Sequence, residues 1–199
     1  MLLYNSQRSG NCYKVRLLLA QLGIPFDKHE VDVVDRENRA ELLGDKNPAL
    51  RVPVLELADG RHLAESNAII WYLADGSAYL PDDPFERAQV LQWMFFEQYS
   101  HEPHIAVARF WISILGQEER YREQIARRHE LGYLALEGME RYLAGRTWFV
   151  GDRYTIADIA LYAYTHVADE GGFDLSGYPE IKAWLSRVAA EPGYVAITD

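Results

Sequence analysis

The chain has 199 residues, of which 49% are hydrophobic and 25% are charged, and its formal net charge at pH 7 is −10. These proportions indicate a globular protein of one or two domains, and the excess of acidic side chains disfavours nucleic acid or an anionic membrane as partner. The single cysteine excludes an internal disulfide, and no apolar run is long enough to span a bilayer, so we expect a cytoplasmic protein.

The first half of the chain alternates strand and helix patterns. Leucines at i, i+3, i+4 and i+7 from Val15 predict a helix that ends at Gly23, and Asp59-Gly60 marks the turn of a hairpin. The predicted order is β-α-β-α-β-β-α, with strands at residues 2–4, 26–34, 51–57 and 61–64 and helices ending at 23, 43 and 74.

Pro53 begins the first strand of the hairpin, where its missing N–H suits a sheet edge or a ligand. An X-Pro bond at a sharp entry into a strand is a common setting for a cis peptide. If the Val52–Pro53 bond is cis, the N–H and C=O of Val52 are free to pair with a peptide-like ligand. Glu65-Ser66 opens the next helix, whose first-turn N–H groups and serine hydroxyl form a seat for a carboxylate.

The second half of the chain shows only helical patterns. A long helix is expected from Asp83-Pro84 to about Leu115, with Pro103 kinking or interrupting it. Thr155 and Asp158 form a capping box ahead of an apolar helix, and further helices are predicted over residues 118–144 and 179–189. We therefore expect an α/β domain over residues 1–75, a linker over 76–84 and an all-α domain over 85–199.

The Val52-Pro53-Val54-Leu55 segment, followed by Glu65-Ser66, resembles the glutathione-binding half of the cytosolic glutathione transferases, and the resemblance covers essentially the whole chain. It implies a thioredoxin-like N-terminal domain, a helical C-terminal domain and glutathione as co-substrate, with no metal. Val52 would pair with the cysteinyl backbone of glutathione. Glu65 and Ser66 would hold the α-amino and α-carboxylate groups of its γ-glutamyl end.

The turn between the first strand and the first helix is where this family carries the group that activates the thiol. Ser9 to Arg16 resembles the motif of the serine-type classes (theta, zeta, nu and beta-like), which implies that the Ser9 hydroxyl donates to the sulfur. Asn11 is a second donor in a few bacterial classes. Tyr4 is a rival within the strand, and Cys12 is an alternative catalytic thiol or a buried, unreactive side chain.

The sequence offers several candidates for the remaining contacts with glutathione and with the electrophile. Arg36, Arg39 and Arg51 are near enough in the chain to bind the glycine carboxylate, or they are solvated surface charges. Glu97 is a candidate for reaching the γ-glutamyl ammonium across a dimer, and His101 for reaching the glutathione. The candidates for an apolar electrophile pocket, or else for exposed and core positions of a long helix, are Tyr99, His104, Phe110 and Trp111.

These patterns favour a homodimeric, cytoplasmic detoxification enzyme that transfers the glutathione thiolate to a small apolar electrophile. One alternative is a glutathione-dependent disulfide or peroxide reductase, with bound glutathione or Cys12 as its thiol. Another is a non-catalytic binding module with the same fold. Such modules tend to lose the Glu-Ser pair or the first-turn serine, and this chain has both.

Overall fold

The computed structural model describes residues 1–35 and 39–199 of the chain. Within them the chain forms two compact units, one of residues 1–76 together with 192–199 and one of residues 77–191. The last eight residues therefore belong to the first unit, whereas the sequence pattern assigned them to the helical half.

A four-stranded sheet forms the centre of the first unit. The strands are β1 (Leu2–Asn5), β2 (Asp27–Glu30), β3 (Val54–Glu56) and β4 (His62–Ala64). Their order is β2-β1-β3-β4, with β1 parallel to β2 and the other two pairs antiparallel, which confirms the thioredoxin-like prediction. The strand predicted over residues 26–34 is shorter in the structure, because β2 pairs only with the four residues of β1.

The helices of the first unit begin at the residues that their local sequence indicates. They are α1 (Gly10–Gln21), α2 (Arg39–Leu43) and α3 (Ser66–Ala74). Ser9 caps α1 by accepting a hydrogen bond from the Cys12 N–H, and Gly23, at φ 65°, follows its end in the left-handed conformation that glycine tolerates. Leu17, Leu18 and Leu19 are fully buried, so α1 lies in the core and not on its surface.

Residues 192–199 form a tail that is hydrogen-bonded to α1 and to the turn before it. The Tyr13 hydroxyl donates to the Val195 carbonyl at 2.7 Å, and the Arg16 guanidinium donates to the Ile197 carbonyl at 2.7 Å. The Gln7 amide donates to the same Ile197 carbonyl at 2.8 Å. These acceptors are backbone carbonyls, which every sequence carries, so no residue pattern indicated that the tail would return to the first unit.

The second unit consists of helices. They are α4 (Pro84–Phe96), α5 (Glu102–Arg109), α6 (Arg122–Leu143), α7 (Ile156–Thr165) and α8 (Pro179–Ala189). Two π-helical turns, Glu97–His101 and Phe110–Ile114, precede and follow α5. The predicted interruption near Pro103 is confirmed, because α-helical hydrogen bonding gives way to a π-helical turn just before that residue.

The predicted capping box is confirmed and anchors the core of the second unit. Thr155 and Asp158 bond reciprocally to each other's backbone, and α7 is buried along its whole length. The Asp158 carboxylate also accepts hydrogen bonds from the Phe149 N–H at 3.2 Å and from the Trp184 indole at 3.0 Å. No helix of residues 1–35 and 39–199 has both the length and the apolar character that a membrane crossing requires.

Candidate functional site

The segment before β3 presents unpaired backbone groups. The Val52–Pro53 peptide bond is cis, as its sequence setting indicated. In the part of the chain that the structure describes, the backbone N–H and C=O of Val52 carry no hydrogen bond, and Val52 is half-buried. The buried Asn47 holds this segment by donating to the Arg51 carbonyl at 2.9 Å. The Val52 backbone is thus available to an extended peptide-like ligand.

Glu65 occupies a backbone conformation that side-chain-bearing residues rarely adopt. Glu65 is the residue immediately before α3, and its backbone has a positive φ of 70° with a ψ of 113°. Its side chain is exposed and, among the described residues, makes no hydrogen bond or ion pair. Strain of this kind is concentrated at functional sites. The structure therefore presents an uncommitted carboxylate at the start of α3.

Ser66, the first residue of α3, is buried and belongs to a polar chain with two residues of α1. The Lys14 ammonium donates to the Ser66 hydroxyl at 3.3 Å, and this hydroxyl donates to the Asn11 side-chain oxygen at 3.1 Å. Lys14 also donates to the Asn67 oxygen at 3.3 Å and is fully buried. A buried cation next to a helix N-terminus makes this seat favourable for an anion.

Lys14 is a site residue that sequence reasoning did not single out. The signal was available, because Lys14 is a charged residue inside the apolar first helix, and a lysine is almost never fully buried without partners. Its partners Ser66 and Asn67 lie 52 and 53 positions away in the chain. The sequence therefore marked the lysine as unusual but did not indicate which groups it contacts.

Ser9 and Asn11 lie at the opening of α1, as expected for the activating turn. The Ser9 oxygen accepts from the Cys12 N–H at 3.3 Å, so Ser9 is a helix cap; its hydroxyl proton can still be donated to an anion. Both side chains are half-buried. Tyr4, the rival, is buried in the sheet and donates to the Glu56 carboxylate at 3.1 Å. The geometry favours Ser9 and Asn11 over Tyr4 as donors to a ligand.

The Cys12 thiol is fully buried. Burial raises its pKa to about 11, although the hydrogen bond that its sulfur accepts from the Ser6 N–H at 3.3 Å acts in the opposite direction. A thiol that stays protonated at neutral pH is a poor nucleophile. The structure therefore favours the buried, unreactive interpretation of Cys12 over the catalytic one.

Three arginines are candidates for binding the glycine carboxylate of glutathione, and the outcome differs for each. Arg36 lies outside the described residues. Arg39 is engaged in the fold, where its guanidinium donates to the carbonyls of Val33 at 2.8 Å and Asp32 at 3.2 Å. The Arg51 side chain is exposed, so it is accessible to a ligand or is simply solvated.

Glu97 and His101, the candidates for contacts with glutathione, are not exposed on the second unit. Both are fully buried in the π-helical turn after α4. The Glu97 carboxylate accepts from the Gln98 amide at 2.9 Å, and the His101 ring is hydrogen-bonded to the Thr165 hydroxyl at 2.9 Å. A side chain enclosed by its own helices cannot reach a partner subunit. These residues hold the core of the second unit together.

The four predicted electrophile-pocket residues differ in exposure and in contacts within the second unit. Tyr99 is 86% exposed, whereas Trp111 stacks on Tyr121 with ring centroids 4.7 Å apart. Tyr99 and Trp111 are twelve positions apart in the chain, which at the α-helical rise corresponds to about 18 Å between their Cα atoms. His104 lies 3.2 Å from the Arg128 guanidinium, and its pKa is lowered by burial and by that charge; Phe110 is half-buried.

A groove of about 390 Å³ lies elsewhere on the second unit. It contains none of these predicted residues and is lined by Glu137, Glu140, Arg141, Gly177 and Tyr178. In residues 1–35 and 39–199, no group of three or more histidine, cysteine, aspartate or glutamate side chains could hold a metal ion.

Known families and solved structures are similar to this chain over most of its length. Residues 8–75 match the model of the glutathione S-transferase N-terminal domain, and residues 104–192 match that of the C-terminal domain. A solved glutathione S-transferase from Pseudomonas fluorescens Pf-5 is 54% identical, covers 100% of this chain and 98% of its own, and superposes with a TM-score of 0.97. A possible glutathione S-transferase from Rhodopseudomonas palustris is 49% identical, with a TM-score of 0.95 over 98% of this chain and 89% of its own.

More distant relatives include proteins with another name. Protein URE2 of Debaryomyces hansenii is 28% identical over 97% of this chain and 76% of its own length. At the same identity, the protein from Saccharomyces cerevisiae is named transcriptional regulator URE2, over 97% of this chain and 66% of its own length. A structure of Ure2p in complex with glutathione is 25% identical and has a TM-score of 0.84, over 96% of this chain and 90% of its own.

Proposed function

Because the chain belongs to the glutathione S-transferase family, we propose that it binds glutathione and transfers the thiolate to a small apolar electrophile. The observation that carries this proposal is the start of α3. There Glu65 presents an uncommitted carboxylate from a strained backbone, and the next residue, Ser66, lies beside the buried Lys14 ammonium. Strain and a buried charge are both costly, so their coincidence favours a ligand-binding role.

The two charges of the γ-glutamyl end of glutathione match this arrangement. Its ammonium group pairs with the Glu65 carboxylate, and its carboxylate accepts from the Ser66 end of α3, where the helix N-terminus and the Lys14 charge favour an anion. The cysteinyl backbone then extends along the unpaired N–H and C=O of Val52, as an added strand does. The complex of Ure2p with glutathione supports the identity of the ligand.

Activation of the sulfur is assigned to the opening of α1. A free thiol has a pKa of about 8.5, so only a small fraction is thiolate at pH 7. Lowering that pKa by about two units requires about 2.7 kcal/mol of preferential stabilisation of the anion. Hydrogen bonds to charged groups contribute about 1.5–3 kcal/mol each, so the Ser9 hydroxyl and the Asn11 amide together are sufficient donors.

The transfer then proceeds without a redox change. The thiol proton passes to water, and a lone pair of the sulfur attacks the electrophilic carbon to form a C–S bond. A leaving group such as halide departs with its bonding pair; in an epoxide the ring oxygen takes the pair and then a proton. The residues that hold the electrophile, for which Tyr99, His104, Phe110 and Trp111 are the candidates, remain a prediction.

A non-catalytic binding module is the second candidate function. The observation in its favour is the similarity to URE2, which includes a protein named as a transcriptional regulator. The presence of both Ser9 and the Glu65-Ser66 pair favours the enzyme. A disulfide or peroxide reductase is the third candidate, and with Cys12 buried it would use the bound glutathione as its thiol.

The test compares the wild-type chain with Ser9→Ala and Cys12→Ala. Each protein is assayed for retention on immobilised glutathione, conjugation of a chloro-dinitroarene and reduction of hydroxyethyl disulfide. We expect Ser9→Ala to lose most of the conjugation and Cys12→Ala to keep it. Retention without either turnover indicates the binding module, and turnover of the disulfide alone indicates the reductase. Loss of activity in Cys12→Ala but not in Ser9→Ala would move the chemistry to the cysteine.

A further inference from the structure

The guanidinium of Arg16 lies buried beneath the turn that leads to Ser9. Arg16 belongs to α1 and is only 3% exposed. One of its terminal nitrogens donates to the Asn5 side-chain oxygen at 2.8 Å and to the Ser6 carbonyl at 3.5 Å. The other donates to the Gln7 carbonyl at 3.1 Å. One planar, rigid group thus contacts three successive residues between the end of β1 and the activating turn.

The same turn is fixed from two further directions. The Ser6 carbonyl that Arg16 contacts also accepts from the Ser9 N–H at 3.0 Å, which closes the turn directly before α1. The Glu30 carboxylate accepts from the Gln7 N–H at 3.1 Å and from the Asn5 amide. Ser9 and Arg16 therefore share the Ser6 carbonyl as an acceptor, with the Arg16 contact the longer of the two at 3.5 Å.

The C-terminal tail completes the contacts of this guanidinium. The nitrogen that donates to Gln7 also donates to the Ile197 carbonyl at 2.7 Å, the shortest hydrogen bond that Arg16 makes here. Gln7 itself donates to the Ile197 carbonyl at 2.8 Å and to the Asp199 carbonyl at 2.7 Å, and Tyr13 donates to the Val195 carbonyl. The tail and the activating turn are thus two sides of one hydrogen-bonded assembly.

The backbone of the tail lies very close to the backbone of α1, which indicates that the tail is an integral part of the first unit. A Cβ placed on Gly193 would lie 2.9 Å from the Gln21 Cα, and Gly193 has a φ of 74°. Only glycine satisfies both the contact and the conformation. The tail therefore approaches α1 at a position specialised for it, and its carbonyls are held at the opposite end of that helix by Gln7 and Arg16.

We propose that Arg16 is a positioning residue for the thiol-activating turn, and that the tail, residues 195–199, controls the ionisation of the bound thiol through it. The proposal rests on the proposed function, in which Ser9 or Asn11 donates to the sulfur. Such a donor stabilises a thiolate only at the right distance and angle, so a displaced turn weakens activation. The positive charge of Arg16 also reaches the turn, where it acts to lower the pKa of the Cys12 thiol.

The experiment measures the ionisation of bound glutathione in full-length variants. Thiolate absorbance in the ultraviolet is followed against pH, together with kcat, the KM for glutathione and the thermal midpoint. Arg16→Gln removes both the positive charge and the planar set of guanidinium N–H donors, and Arg16→Lys keeps only the charge. Gln7→Ala combined with Tyr13→Phe, the tail-releasing variant, removes the three hydrogen bonds that Gln7 and Tyr13 donate to the tail and leaves the one from Arg16. Arg109→Gln is the matched control, since Arg109 is an equally buried arginine, 4% exposed, in the second unit and bonded to Glu170.

We expect Arg16→Gln to raise the apparent pKa of the bound thiol by about one unit and to lower kcat at neutral pH about tenfold. The KM for glutathione should stay within about threefold, because Val52, Glu65 and Ser66 hold the tripeptide independently. Arg16→Lys should recover part of this loss, and the Gln7→Ala, Tyr13→Phe variant should shift the thiol in the same direction. Arg109→Gln should lower the thermal midpoint and leave the thiol pKa as in the wild type.

Two outcomes separate this inference from the proposed function. If the pKa of the bound thiol in both Arg16→Gln and the tail-releasing variant equals that in the wild type, Arg16 is purely structural and the inference is wrong. Should Arg16→Gln fail to fold, the tail-releasing variant decides alone. Wild-type protein that neither binds nor ionises glutathione would refute the proposed function, and the inference with it.

Discussion

Substitution of Glu65 is expected to change stability and glutathione affinity in opposite directions. Glu65 has a φ of 70°, is exposed, and makes no side-chain hydrogen bond or ion pair among the described residues. A sparsely populated backbone conformation of this kind costs a residue with a side chain about 1–3 kcal/mol, part of which glycine avoids. Glycine loses about 0.5–1 kcal/mol more chain entropy on folding, so Glu65→Gly should stabilise the protein by about 0.5–1 kcal/mol.

The affinity for glutathione should fall in the same variant. A charge-assisted hydrogen bond contributes about 1.5–3 kcal/mol, and exposure of this carboxylate to water brings the expected loss to about 1.4 kcal/mol, or tenfold in affinity. Glu65→Gln is the matched control, because it keeps the side-chain volume and the backbone strain and removes only the charge. It should weaken binding to a similar extent and leave stability within about 0.5 kcal/mol of the wild type.

Calorimetric titration with glutathione and urea unfolding measure the two quantities separately. Wild-type affinity in Glu65→Gln would refute the assignment of the ammonium contact to this carboxylate. A loss of stability in Glu65→Gly would refute the argument from strain. The two results are independent, since the first concerns the ligand and the second concerns the free protein.

Three further predictions concern other parts of the chain. Burial raises the pKa of Asp158 from 3.8 to about 6, so between these pH values the folded state binds a proton that the unfolded state does not. The free energy of unfolding should therefore rise by about 1 kcal/mol from pH 7 to pH 5, relative to Asp158→Asn. An equal pH dependence in both proteins would contradict this. Cys12 is fully buried, and an aromatic disulfide reagent should label it only after unfolding. Phe95 and Tyr99 are 69% and 86% exposed. If these side chains contribute to the interface of the predicted homodimer, replacing both with Asp should give monomers in a sedimentation experiment. Unchanged dimers would exclude this face as the interface.

Local signals account for what could be predicted of the fold. The capping box at Thr155 and Asp158, the proline-led strand at Pro53 and the left-handed Gly23 each depend on residues close together in the chain. The observed element order and helix α8 match the prediction for the same reason. The burial of Glu97 and His101 could not be predicted, because a polar residue on a helical pattern is normally exposed, whereas here π-helical turns and neighbouring helices enclose both.

The sequence by itself determined the β-α-β-α-β-β-α order of elements, the proline-led strand at Pro53 and the Glu65-Ser66 start of α3, because short-range spacing encodes strands, turns and caps. The family resemblance implied the thioredoxin-like topology. Only the tertiary structure decided that Lys14 lies against Ser66, and that Arg16 bonds to a tail carbonyl 181 positions away. The physical reason is that a hydrogen bond to a distant residue depends on where packing brings the two segments, and backbone carbonyls carry no sequence signal.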